Sequence, residues 1–184
     1  MTTPARNEPT ISTRTVFEGR ILNVRVDTVQ LVNGRTSTRE IVEHAPSICV
    51  VPLDTDGRVM LVRQYRKPAG AFLLEVPAGG IEPGENPEVA ALRELQEEIG
   101  HRAGRLRPLT GFWLAPGWCN EFMYSFLATE LTPARLESDD DEFIDVEKVA
   151  LSDVPGLIGN GTIQDAKSVA SLLLAMRILA SPAQ

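Results

Sequence analysis

At 184 residues and 43% hydrophobic composition, the chain is long enough for one well-buried core and too short for two ordinary domains. Its formal net charge of −7 argues against a sequence-independent grip on nucleic-acid phosphates, which needs clustered Lys and Arg, so no nucleic-acid partner is expected. Cys49 and Cys119 lie far apart with no second Cys or His at zinc-ligand spacing, which argues against a structural zinc site.

Residues 1–10, MTTPARNEPT, are polar and without periodicity and read as a flexible tail. They lack the basic end and apolar run of a signal peptide, and the longest apolar stretches are far short of a membrane span, so the expectation is a cytoplasmic protein with no membrane partner. Residues 11–45 form an N-terminal strand region: RTVFEGRILNVRVDTVQLVNGRTSTREIVEH alternates apolar and polar residues around an Asn33-Gly34 turn, which predicts a pair of half-buried antiparallel strands. The main domain is expected over 46–180. SICVVPLD is a continuous apolar run of the kind found in a central strand, VMLVRQYR and AFLLEVP predict two more strands, and AGGIEPGENP is a Gly/Pro-rich loop. A helix is predicted from the N-cap Asn86, with Pro87 at its first position, to a left-handed stop at Gly100. RLRPLTGFWLA and FMYSFLATEL predict further strands, followed by the acidic loop ESDDDEF and a strand in IDVEKVAL. In IQDAKSVASLLLAMRIL, Ala166, Val169, Leu172, Leu173 and Met176 recur at helical spacing, which predicts a packing helix without chemistry. The order of elements predicts an α/β fold, a mixed sheet flanked by helices.

The helix RELQEEIG raises a physical question. Positions three and four apart share a helix face, so Glu94, Glu97 and Glu98 project together while Leu92, Leu95 and Ile99 form the apolar stripe. From Glu85 to Glu98 there are five Glu and one Arg, Arg93. Like charges at this spacing cost roughly 0.2–0.5 kcal/mol per pair, and acids near a helix C-terminus oppose its dipole. A solvated face would alternate in sign, so the pattern favours a hard divalent cation bound among the carboxylates, with Arg93 orienting them through a bidentate contact.

The spacing also resembles a known family. Gly79, five residues, Glu85, seven residues and Arg93-Glu94-Leu95-Gln96-Glu97-Glu98-Ile99-Gly100 together resemble the Nudix box of nucleoside-diphosphate-linked-X hydrolases, with His101 standing where the family has an aliphatic residue. The resemblance implies an α/β/α sandwich with an N-terminal antiparallel strand arm. It implies that Glu94 and Glu98 ligate Mg2+ or Mn2+ (two or three ions), with the Ala78 carbonyl as a further ligand and Glu97 completing or bridging the cluster. Glu85 would support the site through water or Arg93, and Gly79-Gly80 would let the backbone bend by adopting positive φ.

Outside the box, VRQYR before LEVPAGGIEPGE, APGWCNE with its Pro116, and GRILNV followed by REIVEH resemble the ADP-ribose pyrophosphatase branch. In that branch N-terminal strands exchange between two subunits, so the resemblance implies a homodimer. Ile21 and Glu40 match residues that contact adenine across it, and Arg66 and Glu82 match positions that hold the terminal ribose and phosphates. At the place of the acidic loop that branch has a glutamate that serves as general base or closes over the metals, and the resemblance implies this role for Glu142, with Asp140 close behind; an EF-hand is excluded by the missing Gly and ligand spacing. Trp113 and Trp118 read as core or interface anchors and are left out of the site.

The implied activity is metal-dependent hydrolysis of ADP-ribose to AMP and ribose 5-phosphate. Another nucleotide sugar such as GDP-mannose, or a dinucleotide, is the alternative substrate within the same chemistry. A non-catalytic nucleotide sensor is the alternative from another class; such a module would lose box glutamates or append a DNA-binding segment, and this chain keeps the full set.

Overall fold

A computed structural model describes residues 7–137 and 143–181, and the chain divides into two compact units. The first comprises Met1–Ala45 and Trp113–Phe122. Its strands β1 (Thr10–Glu18), β2 (Leu22–Gln30) and β3 (Thr36–His44) form one antiparallel sheet in chain order. Three strands thus replace the predicted pair. The extra break falls at Gly19-Arg20, which lacks the two-residue hairpin signature of Asn33-Gly34 and is closed by a Gly19 N–H to Leu22 C=O bond of 3.0 Å. The Trp113–Phe122 segment is fastened to β3 by a bridge from Val42 to Cys119 and by the Asn120 Oδ1, which accepts from the His44 N–H at 2.9 Å.

The second unit spans Pro46–Phe112 and Met123–Gln184. One sheet has the order β7-β4-β9-β8, from β4 (Ser47–Pro52), β7 (Ala78–Gly80), β8 (His101–Trp113) and β9 (Phe122–Pro133). The other has the order β10-β5-β6, from β5 (Arg58–Arg66), β6 (Ala71–Glu75) and β10 (Asp145–Ala150). β4 runs parallel to β9 and antiparallel to β7, so the sheet is mixed, as the order of elements predicts. The strand β7 is absent from the sequence reading. Ala-Gly-Gly has no β-branched residue, and only its pairing with Ser47–Cys49 makes it a strand.

The helices are α1 (Pro87–Glu98), α2 (Val154–Gly159) and α3 (Ala166–Leu179). Asn86 caps α1 by accepting from the Glu88 N–H at 2.8 Å, and Gly100 leaves the helix at φ 67°, a left-handed stop that suits a residue without Cβ. Alternation along β4 sorts the helices into layers. Ile48 and Val50 pack with Ala90, Ala91 and Leu95 of α1, whereas Cys49, pointing the other way, meets the Ser171 hydroxyl of α3 at 3.2 Å. The expected α/β/α layering is observed.

The buried face of α3 differs from the predicted stripe. Ser168, Ser171, Leu172 and Ala175 are buried, while Leu173 is 45% exposed and Ala166 is on the surface. Small residues let the helix approach the sheet closely, and the Ser125 hydroxyl of β9 donates to Ser171 at 2.8 Å, so hydroxyls replace the larger apolar side chains there. Trp113 and Trp118 are 53% and 59% exposed and anchor no core; Trp113 meets Phe122 edge to face at 4.9 Å. Among the described residues no helix is long and apolar enough to cross a membrane.

Candidate active site

The strand β7 and helix α1 bring the box residues together. Arg93 lies at their centre: its Nε and Nη2 donate to the two oxygens of Glu85 at 3.1 and 3.0 Å. Its Nη1 donates to Glu94 Oε1 at 2.7 Å and to Glu97 Oε2 at 2.8 Å, and Nη2 also donates to the Gly80 carbonyl at 3.0 Å. One guanidinium therefore gathers three carboxylates and the rim of the strand. The Ala78 N–H donates to Glu98 Oε2 at 3.0 Å. Glu94 and Glu98 are buried beside Ala91 and Leu95 while Glu97 is half-buried, so two acids of the presumed polar face share the packed side of α1.

The role expected of Gly79 is corrected by the backbone. Neither Gly79 nor Gly80 has positive φ. What Gly79 supplies is room: a Cβ there would lie 2.0 Å from Glu94 Oε1 and 2.1 Å from its Cδ. Glu85 closes the Glu82–Glu85 turn by accepting from the Glu82 N–H at 3.0 Å, which places the exposed Glu82 at the edge of the Arg93 cluster.

Electrostatics follow from these contacts. The Arg93 hydrogen bonds hold the Glu85 carboxyl below the usual carboxylate value. Arg93 is raised in turn, chiefly by Glu85, with Glu94 and Glu97 adding to it against burial. Arg66, whose Nε and Nη2 donate to Glu75 at 2.9 and 2.8 Å, is raised by that hydrogen bond first and also feels the charge of Glu98, which puts it within electrostatic reach of the carboxylate cluster.

The donor set suits a hard divalent cation, since Glu94, Glu97 and Glu98 offer only carboxylate oxygens beside the backbone of Ala78. Among the described residues, no three His, Cys, Asp or Glu side chains are drawn onto one point. The sequence argument has bound cations offset the crowded charges and Arg93 orient the carboxylates; in the structure Arg93 pairs with Glu85, Glu94 and Glu97 and so is itself a built-in countercharge.

The remaining candidates are dispersed. Ile21 and Glu40 belong to the first unit, where Ile21 borders a cavity of about 310 Å³ with Arg20, Asn23 and His44. Glu40 pairs with Val26, four rungs along the ladder from the Leu22–His44 pair next to Ile21, so the two side chains are not neighbours in this sheet. Pro116 lies in the Ala115–Cys119 turn of the same unit, whose Ala115 carbonyl accepts from Trp118 and Cys119. Glu142 and Asp140 lie outside the described residues. Arg63 pairs with Glu147.

Four residues escaped the sequence reading: Glu75, Asp165, Lys167 and Ser168. Glu75 is 1% exposed and bonded to Arg66 and Lys167. Asp165 caps α3 by accepting from the Ser168 N–H at 3.1 Å, and the Ser168 hydroxyl accepts from the Val76 N–H at 2.8 Å. A signal was present: a lone acid inside the apolar run AFLLEVP is buried only if paired.

Residues 43–172 match the NUDIX domain, and residues 8–42 match the nucleoside diphosphate sugar hydrolase N-terminal domain. The chain is 40% identical, over 88% of each sequence, to an ADP-ribose pyrophosphatase of Bacillus subtilis (strain 168). It is 38% identical, over 88% of its own length and 89% of the other, to a methanol dehydrogenase activator of Bacillus methanolicus. A crystal structure of an ADP compounds hydrolase shares its fold with a TM-score of 0.88 at 26% identity, over 97% of each chain.

Proposed function

The chain belongs to the Nudix family, and from that premise we propose that it hydrolyses the pyrophosphate bond of ADP-ribose, releasing AMP and ribose 5-phosphate. The observation that carries this reading is the gathering of Glu85, Glu94 and Glu97 on Arg93 beside the Ala78–Gly80 strand. The match to the nucleoside diphosphate sugar hydrolase N-terminal domain and the likeness to an ADP-ribose pyrophosphatase along most of the chain direct it to this substrate.

Nudix hydrolases use divalent ions, which neutralise the diphosphate and acidify the attacking water; two or three Mg2+ or Mn2+ ions are proposed here. Glu94, Glu97, Glu98 and the Ala78 carbonyl would hold them, with Arg93 and Glu85 keeping the carboxylates in place and Gly79 leaving them room. Water adds to phosphorus as the bond from the same phosphorus to the bridging oxygen breaks. The water's proton passes to a carboxylate, for which Glu142 is the choice. Arg66 and Glu82 receive the terminal ribose and phosphates, and Ile21, Glu40 and Pro116 complete the substrate contacts.

A homodimer with exchanged N-terminal strands is part of the proposal, supported by Ile11, Val16 and Phe17, all exposed on β1. A cytoplasmic location is supported by two free cysteines. A second reading, control of a partner enzyme, draws on the likeness to the methanol dehydrogenase activator.

The test is product identification from purified protein with ADP-ribose, GDP-mannose and a dinucleotide, with Mg2+ or Mn2+ and with EDTA. AMP and ribose 5-phosphate should appear from ADP-ribose, and only with metal. Good hydrolysis of another diphosphate without AMP release from ADP-ribose would refute the substrate. Turnover of none would leave the regulator.

A further inference from the structure

Glu75 ends β6 as one of the most deeply buried charges in the chain, and two cations meet it there. Arg66, at the end of β5, presents its Nε and Nη2 edge to both Glu75 oxygens. Lys167, in the first turn of α3, donates to Glu75 Oε2 and, at 3.0 Å, to Asp165 Oδ2. The result is a chain of alternating charges, Arg66, Glu75, Lys167 and Asp165. The next residue, Val76, is tied to the same helix turn by its N–H bond to Ser168 Oγ. Glu75 is therefore anchored from below by α3 and anchors Arg66 in turn.

The Arg66 side chain is 39% exposed against 2% for Glu75, so one edge of the guanidinium is fastened to a rigid carboxylate while the side chain still reaches solvent. An unrestrained Arg loses rotamer freedom when it docks an anion; a fork fixed in advance by a bidentate bond has already met that cost.

We propose that Glu75 is a positioning residue which, with Lys167 as its countercharge, holds Arg66 ready to receive the phosphates of the substrate. This rests on the diphosphate hydrolase reading above. Arg66 would act on ground state and transition state alike, so losing its anchor raises KM and leaves kcat nearly unchanged.

The experiment measures kcat, KM for ADP-ribose with Mg2+, and thermal melting for the wild type, Glu75→Gln, Arg66→Lys and the double variant. Each single change should raise KM about tenfold, the scale of one charge-assisted hydrogen bond, with kcat held within about twofold. Because Glu75 acts through Arg66, the double variant should have the KM of Arg66→Lys alone. Multiplying effects on KM, or a fall in kcat without a rise in KM, would overturn the positioning role. If Glu75→Gln does not fold, Glu75→Asp, which keeps the charge but withdraws the carboxylate from Arg66, decides: a KM raised in the wild-type background and unchanged in the Arg66→Lys background supports the role, and an equal effect in both, or none in either, overturns it. A wild type that hydrolyses no nucleoside diphosphate derivative removes both the function and this inference, whereas an active wild type with multiplying effects removes only the inference.

Discussion

Gly79 shows how a single missing side chain can serve a charged site. The Glu94 carboxylate occupies the space a Cβ would take, whereas a Cβ at Gly80 would meet nothing within 4 Å. Gly79→Ala should therefore push Glu94 off Arg93 and lower kcat about a hundredfold, the scale of an ångström of misplacement, while Gly80→Ala stays near wild type. Steady-state kinetics on the two variants check this; equal activities would refute the steric argument. Glu75 bears on pH. Burial alone would raise its carboxyl, but the Arg66 hydrogen bonds and the Lys167 charge outweigh burial and hold it below the ordinary 4.5. A depressed native value means that the unfolded chain binds the proton more readily, so the stabilisation is present above about pH 4.5 and is lost as pH falls through the native value. Urea midpoints measured from pH 6 to pH 3 should fall more steeply for the wild type than for Glu75→Gln, and parallel profiles would count against the ion pair.

At the scale of the element, α1 and α3 differ in how they can be read. The ends of α1 follow from local chemistry: the Asn86 side chain, the fixed φ of Pro87 and the positive φ of Gly100 act within one turn of the residue concerned. The buried face of α3 follows from partners elsewhere, namely Cys49 on β4, Ser125 on β9 and the Val76 N–H after β6. Apolar periodicity selected Leu173 and Met176, but hydroxyls matched to buried polar groups set the contact. Ser168→Ala would leave the Val76 N–H buried and unpaired, which costs about 1–3 kcal/mol. Chemical denaturation should show that loss. No loss would mean that another acceptor takes over.

At the scale of the whole molecule, β1 is exposed along its full length, with Ile11, Val16 and Phe17 at 56%, 45% and 55% exposure. A nine-residue strand of this kind is an open template for a second chain. Light scattering should give twice the chain mass for the wild type and a shift toward a single chain for Phe17→Glu; a wild type of single-chain mass would exclude exchanged arms. The sequence by itself determined the Nudix resemblance, the run of strands, the caps of α1 and the carboxylate spacing, because each is written within a few residues and repeats with the period of a helix or strand. Only the tertiary structure decided the parallel pairing of β4 with β9, the third strand of the first unit, the bond from Arg93 to the Gly80 carbonyl and the pairing of Glu75 with a lysine 92 positions away. Such contacts join segments that no local pattern relates, and burial is what turns them into strong interactions.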